Sequence, residues 1–270
     1  VPTATPVPPT ATPTPLPPTA TPESISWDYV VLGDSIGGSF ASRYAKHVEA
    51  DLGVEVTMHV WYRAVQGSSE SVSALRNNQD LRSDLREAEV VTFLVSPHHL
   101  IDQTQPFRDG ACGGTDKQDC LREALRLLNA DTDAIIAEIL SLRSTSDTII
   151  CAMTDYNARV NDEKEWGYFE GLNPYWIAYN EYLVQAASEH GIRVARVDLA
   201  FNGPNLDEDP SDKGFVVGGD VHPTRKESPS SPTCFGNWGT NLWRHSESGR
   251  GIPQKCDIDQ VSSPGQKSPS

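Results

Sequence analysis

Residues 27–35 read Trp-Asp-Tyr-Val-Val-Leu-Gly-Asp-Ser, an apolar run that breaks at once into a glycine turn carrying an acid and a hydroxyl. Aromatic and β-branched residues in a run this short read as a buried strand. Gly33 ends it and sets Ser35 at its carboxyl end. Onward from there, Phe40–Leu52 repeats apolar residues at helical spacing and stops at Gly53. Val54–Trp61 alternates like a strand, Ser71–Glu87 reads as one polar amphipathic helix or a pair, and Val90–Val95 is a second buried strand. Cys120–Leu142 is a long helix, Thr148–Met153 a strand, Pro174–His190 a helix and Ile192–Val197 the last clear strand. Short strands alternating with helices imply parallel β-α-β units. The expected fold class is therefore α/β, a three-layer sandwich with a central parallel sheet. Ligands in such sheets sit beyond the carboxyl ends of the strands. Chemistry is expected after Leu32, Trp61, Val95, Met153 and Val197.

The chain has 270 residues and is not uniform along its length. Residues 1–22 contain only Val, Pro, Thr, Ala and Leu, too little apolar bulk to offset the entropy of ordering, so they read as a disordered Pro/Thr-rich linker. Residues 23–224 suit one domain. The formal net charge is −15, and without a basic stripe this argues against nucleic acid and against anionic lipid as partners. No segment approaches the roughly 18–20 apolar residues of a transmembrane helix. A Pro/Thr tether fits a domain held at a cell surface, with a leader or lipid anchor upstream, so an extracellular or cell-surface setting and a monomer are expected. Cys112 and Cys120 flank a polar, glycine-containing loop and read as a loop-closing disulfide of an oxidising compartment. A metal site is the competing reading, which neither the spacing nor neighbouring histidines support.

Two short stretches carry chemistry. Gly33-Asp34-Ser35 can expose a hydroxyl at a strand-to-helix turn with its own N–H aimed at a developing oxyanion. Asp220-Val221-His222-Pro223-Thr224 lies far along the chain, and Pro223 restricts the backbone beside the imidazole. Together these blocks resemble the first and last blocks of SGNH (GDSL-type) hydrolases. Gly67, in Val65-Gln66-Gly67-Ser68, resembles that family's oxyanion-hole glycine. The resemblance spans most of residues 27–224. It implies a flavodoxin-like α/β/α sandwich and carboxylic ester hydrolysis through an acyl-enzyme on Ser35, with His222 as general base. It implies no metal or other cofactor.

Two positions depart from the family pattern. Ser96-Pro97-His98-His99 stands where Gly-x-Asn-Asp is expected, so His98 occupies the place of the oxyanion-hole Asn, and a neutral imidazole N–H could serve as donor. The family's acid precedes the His by three residues, which is Gly219 here. Asp220, one residue closer, is expected to orient His222 through a shifted turn; the alternative is that His222 acts as half of a dyad. Asp34 is read as a stabiliser of its turn.

Other readings stay open at this level. His98, His99 and Asp102 could bind a metal. A non-catalytic carbohydrate- or ligand-binding module on the same fold is the rival to an esterase acting on short acyl groups of a carbohydrate or lipid. The stretches Phe107–Asp119, Tyr156–Asn173 and Asn202–Gly214 read as long loops. They either cover sheet edges or wall a cleft with Tyr156, Trp166, Tyr168 and Phe169 as stacking surfaces.

After Thr224 the helical pattern that should close the fold is missing. In one alternative frame the middle base of each codon is the first base of the codon written here, and the middle base sets polarity. Apolar residues then arise at the positions of Ser228, Ser230, Ser231, Cys234, Phe235 and Trp238, the spacing of an amphipathic helix. Residues 225–270 are therefore expected to be a frameshifted, non-native tail, in which Cys234 and Cys256 have no native role. An intact frame at the Thr224 codon in independent reads of the gene would contradict this.

Overall fold

The structure, a computed structural model, describes residues 25–61 and 67–224. The linker over 1–22, the tail from Arg225 with Cys234 and Cys256, and Val65-Gln66 beside Gly67 lie outside the described residues. In chain order the elements are β1 (Ser26–Leu32), α1 (Ser35–Leu52), β2 (Glu55–Val60), α2 (Ser68–Asn77), α3 (Gln79–Glu87) and β3 (Val90–Leu94). They continue with α4 (His98–Arg108), α5 (Asp119–Leu140), β4 (Ile149–Met153), α6 (Val160–Glu165), α7 (Phe169–Glu189), β5 (Arg193–Ala195) and α8 (Val197–Asn202).

The five strands form one sheet in the order β2-β1-β3-β4-β5, and each neighbouring pair is parallel. Leu32 pairs with Phe93, and Leu94 with Met153, so the turns after β1, β3 and β4 emerge along one edge. Side chains alternate across the sheet. Val30, Leu32, Val91 and Phe93 pack against α2, α3, α5 and α7, whereas Tyr29, Val31, Val90 and Cys151 pack against α1. This is the three-layer α/β/α sandwich read from the alternation of strands and helices. A narrow apolar cleft runs between α1 and the sheet, lined by Tyr44, Leu94, Cys151, Met153 and Ala195.

Three helices, α4, α6 and α8, are not among the helices expected from the sequence. In α4 only Leu100 is buried and Pro106 lies inside, so no apolar stripe announces it. α6 and α8 have six residues each, too few for a period to stand out. Val197, expected in the last strand, opens α8 instead. The expected Ser71–Glu87 helix is two helices, because the Asn78 side chain accepts N–H bonds from Asp80 and Leu81 and so caps a fresh start.

Cys112 and Cys120 form a disulfide across a sequence separation of eight. Closing so short a loop constrains the unfolded chain by about 2–3 kcal/mol. Cys112→Ser with Cys120→Ser is expected to lower Tm by roughly 5–10 °C for a domain of this size. An unchanged calorimetric Tm would contradict that.

Candidate active site

The site begins at the turn out of β1. Gly33 has φ +136°, and a Cβ placed there would lie 3.0 Å from both Cβ and the carbonyl oxygen of Leu94. Only glycine lets the chain turn this close to β3. Asp34 then caps α1. Its Oδ1 accepts from the Ile36 N–H at 2.9 Å and the Gly37 N–H at 3.5 Å, and its Oδ2 accepts from Ser96 Oγ at 2.8 Å. Ser35 is the first residue of α1, so its N–H has no intrahelical acceptor, and its side chain is exposed. Asp34 is thus a turn stabiliser, as read from the sequence.

His222 reaches Ser35 across 187 residues, with Nε2 2.9 Å from Ser35 Oγ. On its other side Nδ1 lies 2.8 Å from Asp220 Oδ1. The same oxygen accepts the N–H groups of Val221 at 2.7 Å and His222 at 3.0 Å. This tight turn folds the carboxylate back over its own backbone, which is how an acid two residues before the histidine meets the ring. The bond from the His222 ring, followed by those from the His222 and Val221 backbone, holds the Asp220 carboxyl below the usual carboxylate range. An ionised Asp220 fixes the proton on Nδ1 and leaves the Nε2 lone pair facing the Ser35 hydroxyl.

The turn is held from behind. Tyr156 OH donates to the Val221 carbonyl at 2.5 Å, and its ring stacks on Phe201 with centroids 4.3 Å apart. Val216 and Pro223 form an antiparallel bridge, and the Thr224 N–H donates to Phe215 O at 2.7 Å. Tyr156→Phe removes one hydrogen bond worth about 1 kcal/mol. It is expected to lower kcat of any Ser35-dependent reaction about 3- to 10-fold with little change in KM. Equal steady-state kcat in the two proteins would contradict that role.

Gly67 stands at the N-cap of α2, and its carbonyl accepts from both the N–H and the Oγ of Ser71, each at 3.1 Å. A Cβ on Gly67 would lie 3.7 Å from His98 Cβ, so these two residues are neighbours. Asp131, on α5, ties their helices together. Its Oδ2 accepts from Ser68 Oγ at 2.6 Å and Ser69 Oγ at 2.9 Å, and lies 3.1 Å from His99 Nε2. His98 turns the other way, with Nδ1 2.5 Å from Ser96 Oγ.

Two sequence-based alternatives need correction. His98 and His99 face different partners and Asp102 is exposed. Among the described residues no group of three or more His, Cys, Asp or Glu side chains is placed to hold a metal ion. Of the four aromatics offered as stacking surfaces, Tyr156, Tyr168 and Phe169 are buried, and only Trp166 is exposed. The Arg108 guanidinium sits 4.7 Å from the Trp166 ring centroid. Sequence reading also passed over Ser96, Asp131 and the anchoring hydroxyl of Tyr156, because no local pattern marks the contacts Ser96–Asp34, Asp131–Ser68 and Tyr156–Val221, each more than 60 positions apart.

Sequence comparison finds no matching family model and no matching curated protein. Comparison with solved structures finds proteins of similar fold. It superposes on the lipase Lip_vut3 from a goat rumen metagenome with a TM-score of 0.58, at 19% identity, covering 73% of this chain and 90% of that one. A catalytic mutant of the acetylxylan esterase Axe2 from Geobacillus stearothermophilus follows with a TM-score of 0.49, at 14% identity, covering 76% and 90%. An extracellular lipase from Streptomyces rimosus gives 0.47 at 14% identity, covering 73% and 93%. The class is thus a three-layer α/β/α sandwich that shares its fold with the Lip_vut3 lipase. Within it, the chain has the SGNH (GDSL-type) hydrolase-like fold.

Proposed function

We propose that this protein is a serine esterase that cleaves carboxylic esters through an acyl-enzyme on Ser35. The observation that carries the reading is the file of three groups at the carboxyl edge of the sheet. Ser35 Oγ, His222 Nε2 and Nδ1, and Asp220 Oδ1 are joined by contacts of 2.9 and 2.8 Å. In the first half-reaction Ser35 Oγ attacks the ester carbonyl carbon while His222 Nε2 takes its proton. The Ser35 N–H at the start of α1 and the N–H of Gly67 at the start of α2 stabilise the oxyanion. Collapse expels the alcohol, which takes the proton from His222. Water then enters, loses a proton to Nε2 and attacks the acyl carbon; the bond from that carbon to Ser35 Oγ breaks, the acid leaves, and Nε2 returns the proton to Ser35 Oγ. Asp220 keeps the ring in the required tautomer throughout.

The likeness to esterases and lipases favours an ester over an amide, and it supports short acyl groups on a carbohydrate or lipid as the substrate class. The exposed setting of Ser35 and of the His222 ring, 44% exposed, suits an ester carried on a large alcohol that approaches from solvent. An extracellular or surface-tethered monomer fits the disulfide and the Pro/Thr-rich N-terminal segment. The test is turnover of p-nitrophenyl esters of increasing acyl length by the purified protein. Hydrolysis fastest with acetate agrees with the proposal, and no hydrolysis of any ester overturns it.

A further inference from the structure

We infer that Ser96 is a positioning residue for Ser35: its buried hydroxyl locks the Asp34 carboxyl and so fixes the turn from which Ser35 presents its Oγ and its N–H. The inference deepens the esterase reading and rests on it for the rate effects given below.

The turn needs a support from outside. Asp34 caps α1, and its Oδ1 holds the Ile36 N–H at 2.9 Å but the Gly37 N–H only at 3.5 Å. The second contact is at the long limit of a hydrogen bond. Gly37 and Gly38 complete the first turn of α1 after Ser35 and Ile36, and glycine is the poorest helix former after proline. A Cβ on Gly37 would lie 3.4 Å from Leu94 Cβ, so the glycine lets α1 start close against β3. The first turn of α1 is therefore weak by composition, and its geometry depends on how firmly Asp34 is held.

Ser96 supplies the hold. β1 and β3 run parallel with Leu32 opposite Phe93, so the chain leaves both strands side by side and Asp34 emerges next to Ser96. Ser96 Oγ donates to Asp34 Oδ2 at 2.8 Å, which leaves Oδ1 to the helix. The two oxygens of one carboxyl are thus fixed in different directions, and the side chain cannot rotate without breaking a bond. Ser96 is itself only 1% exposed. The peptide that joins it to Val95 is pinned by Tyr179, a fully buried residue of α7 whose hydroxyl donates to the Val95 carbonyl. The line of support runs from α7 through Val95 and Ser96 to Asp34, and it ends at Ser35.

The family pattern has glycine where this chain has Ser96. A glycine has no hydroxyl to give Asp34, so the link is a property of this chain. Ser96 Oγ also lies 2.5 Å from His98 Nδ1. Loss of the hydroxyl therefore touches two partners, and the test has to separate them.

The experiment compares the unaltered protein with Ser96→Ala, Asp34→Ala and the double variant. It reads kcat and KM for p-nitrophenyl acetate, and amide hydrogen exchange of Ile36 and Gly37 in ¹H–¹⁵N spectra. Ser96→Ala is expected to lower kcat about 10-fold with KM unchanged. Exchange of both amides should be faster by about the same factor. In the Asp34→Ala background the Ser96 change should lower kcat less than about twofold, because the carboxyl through which Ser96 acts is already gone. A full further loss in that background would mean that Ser96 acts through His98, and it overturns the inference. So does an unchanged kcat in Ser96→Ala, or a change confined to KM. Equal exchange at Ile36 and Gly37 overturns it whatever the rates. If even the unaltered protein cleaves no ester, the esterase reading falls and exchange alone decides: faster exchange in Ser96→Ala upholds the link to the Ser35 turn, and equal exchange ends it.

Discussion

Replacing Ser35 by alanine is expected to lower kcat for ester hydrolysis on the order of 10⁵- to 10⁶-fold, with His222→Ala close behind. The reason lies in how the two groups share one step. A serine hydroxyl is a weak nucleophile until a base takes its proton, and the base is useless without a nucleophile to activate. Their 2.9 Å contact joins residues from opposite ends of the domain. The double variant should therefore be little worse than either single one. What remains would be catalysis by the Ser35 N–H and the Gly67 N–H on attacking water. Steady-state rates with p-nitrophenyl acetate check this, and additive losses in the double variant would contradict it.

Asp220→Asn carries the second largest expected effect, a loss of about 100- to 1000-fold in kcat at neutral pH. Replacing the corresponding acid of a buried triad with its amide costs about 10⁴-fold, because the ring is held in the wrong tautomer. Asp220 is 52% exposed, so water competes for Nδ1 and the effect is smaller. The sign of the pH dependence follows from the depressed Asp220 pKa. A carboxyl with a lower pKa in the folded protein stabilises its turn above the unfolded value, and that contribution disappears as pH falls through the folded value. The turn that carries His222 therefore stays formed through the mildly acidic range. Measuring kcat for both proteins between pH 5 and 8 checks this. Equal rates would mean that Asp220 does not orient the ring.

Much of this was legible because the informative signals are local. The run Trp27–Leu32 followed by Gly33 announces a buried strand and its turn, and the alternation of such runs with helical periods announces the parallel sheet. Ser35 and His222 could be named because each sits in a short, distinctive block. Asp220 was legible only as a neighbour, since its value depends on a turn in which one oxygen accepts two backbone N–H groups and a ring N–H. The start of α1 was hidden by Gly37 and Gly38, which break the apolar period, although Asp34 caps the helix just ahead of them. His98 was placed by position in a motif, yet its ring is met by Ser96, which in turn donates to Asp34, 62 residues away in sequence. Asp131 left no signal at all, because an acid on the polar side of a long helix looks like any solvated residue until Ser68, Ser69 and His99 converge on it.

The central claim is that Ser35 is an activated nucleophile. Incubation with a fluorophosphonate, followed by peptide mass spectrometry, tests it without any assumption about substrate. The account predicts one phosphonyl adduct, on Ser35, which forms far more slowly in His222→Ala. No adduct in the unaltered protein, or an adduct on another serine such as Ser68 or Ser69, would contradict it.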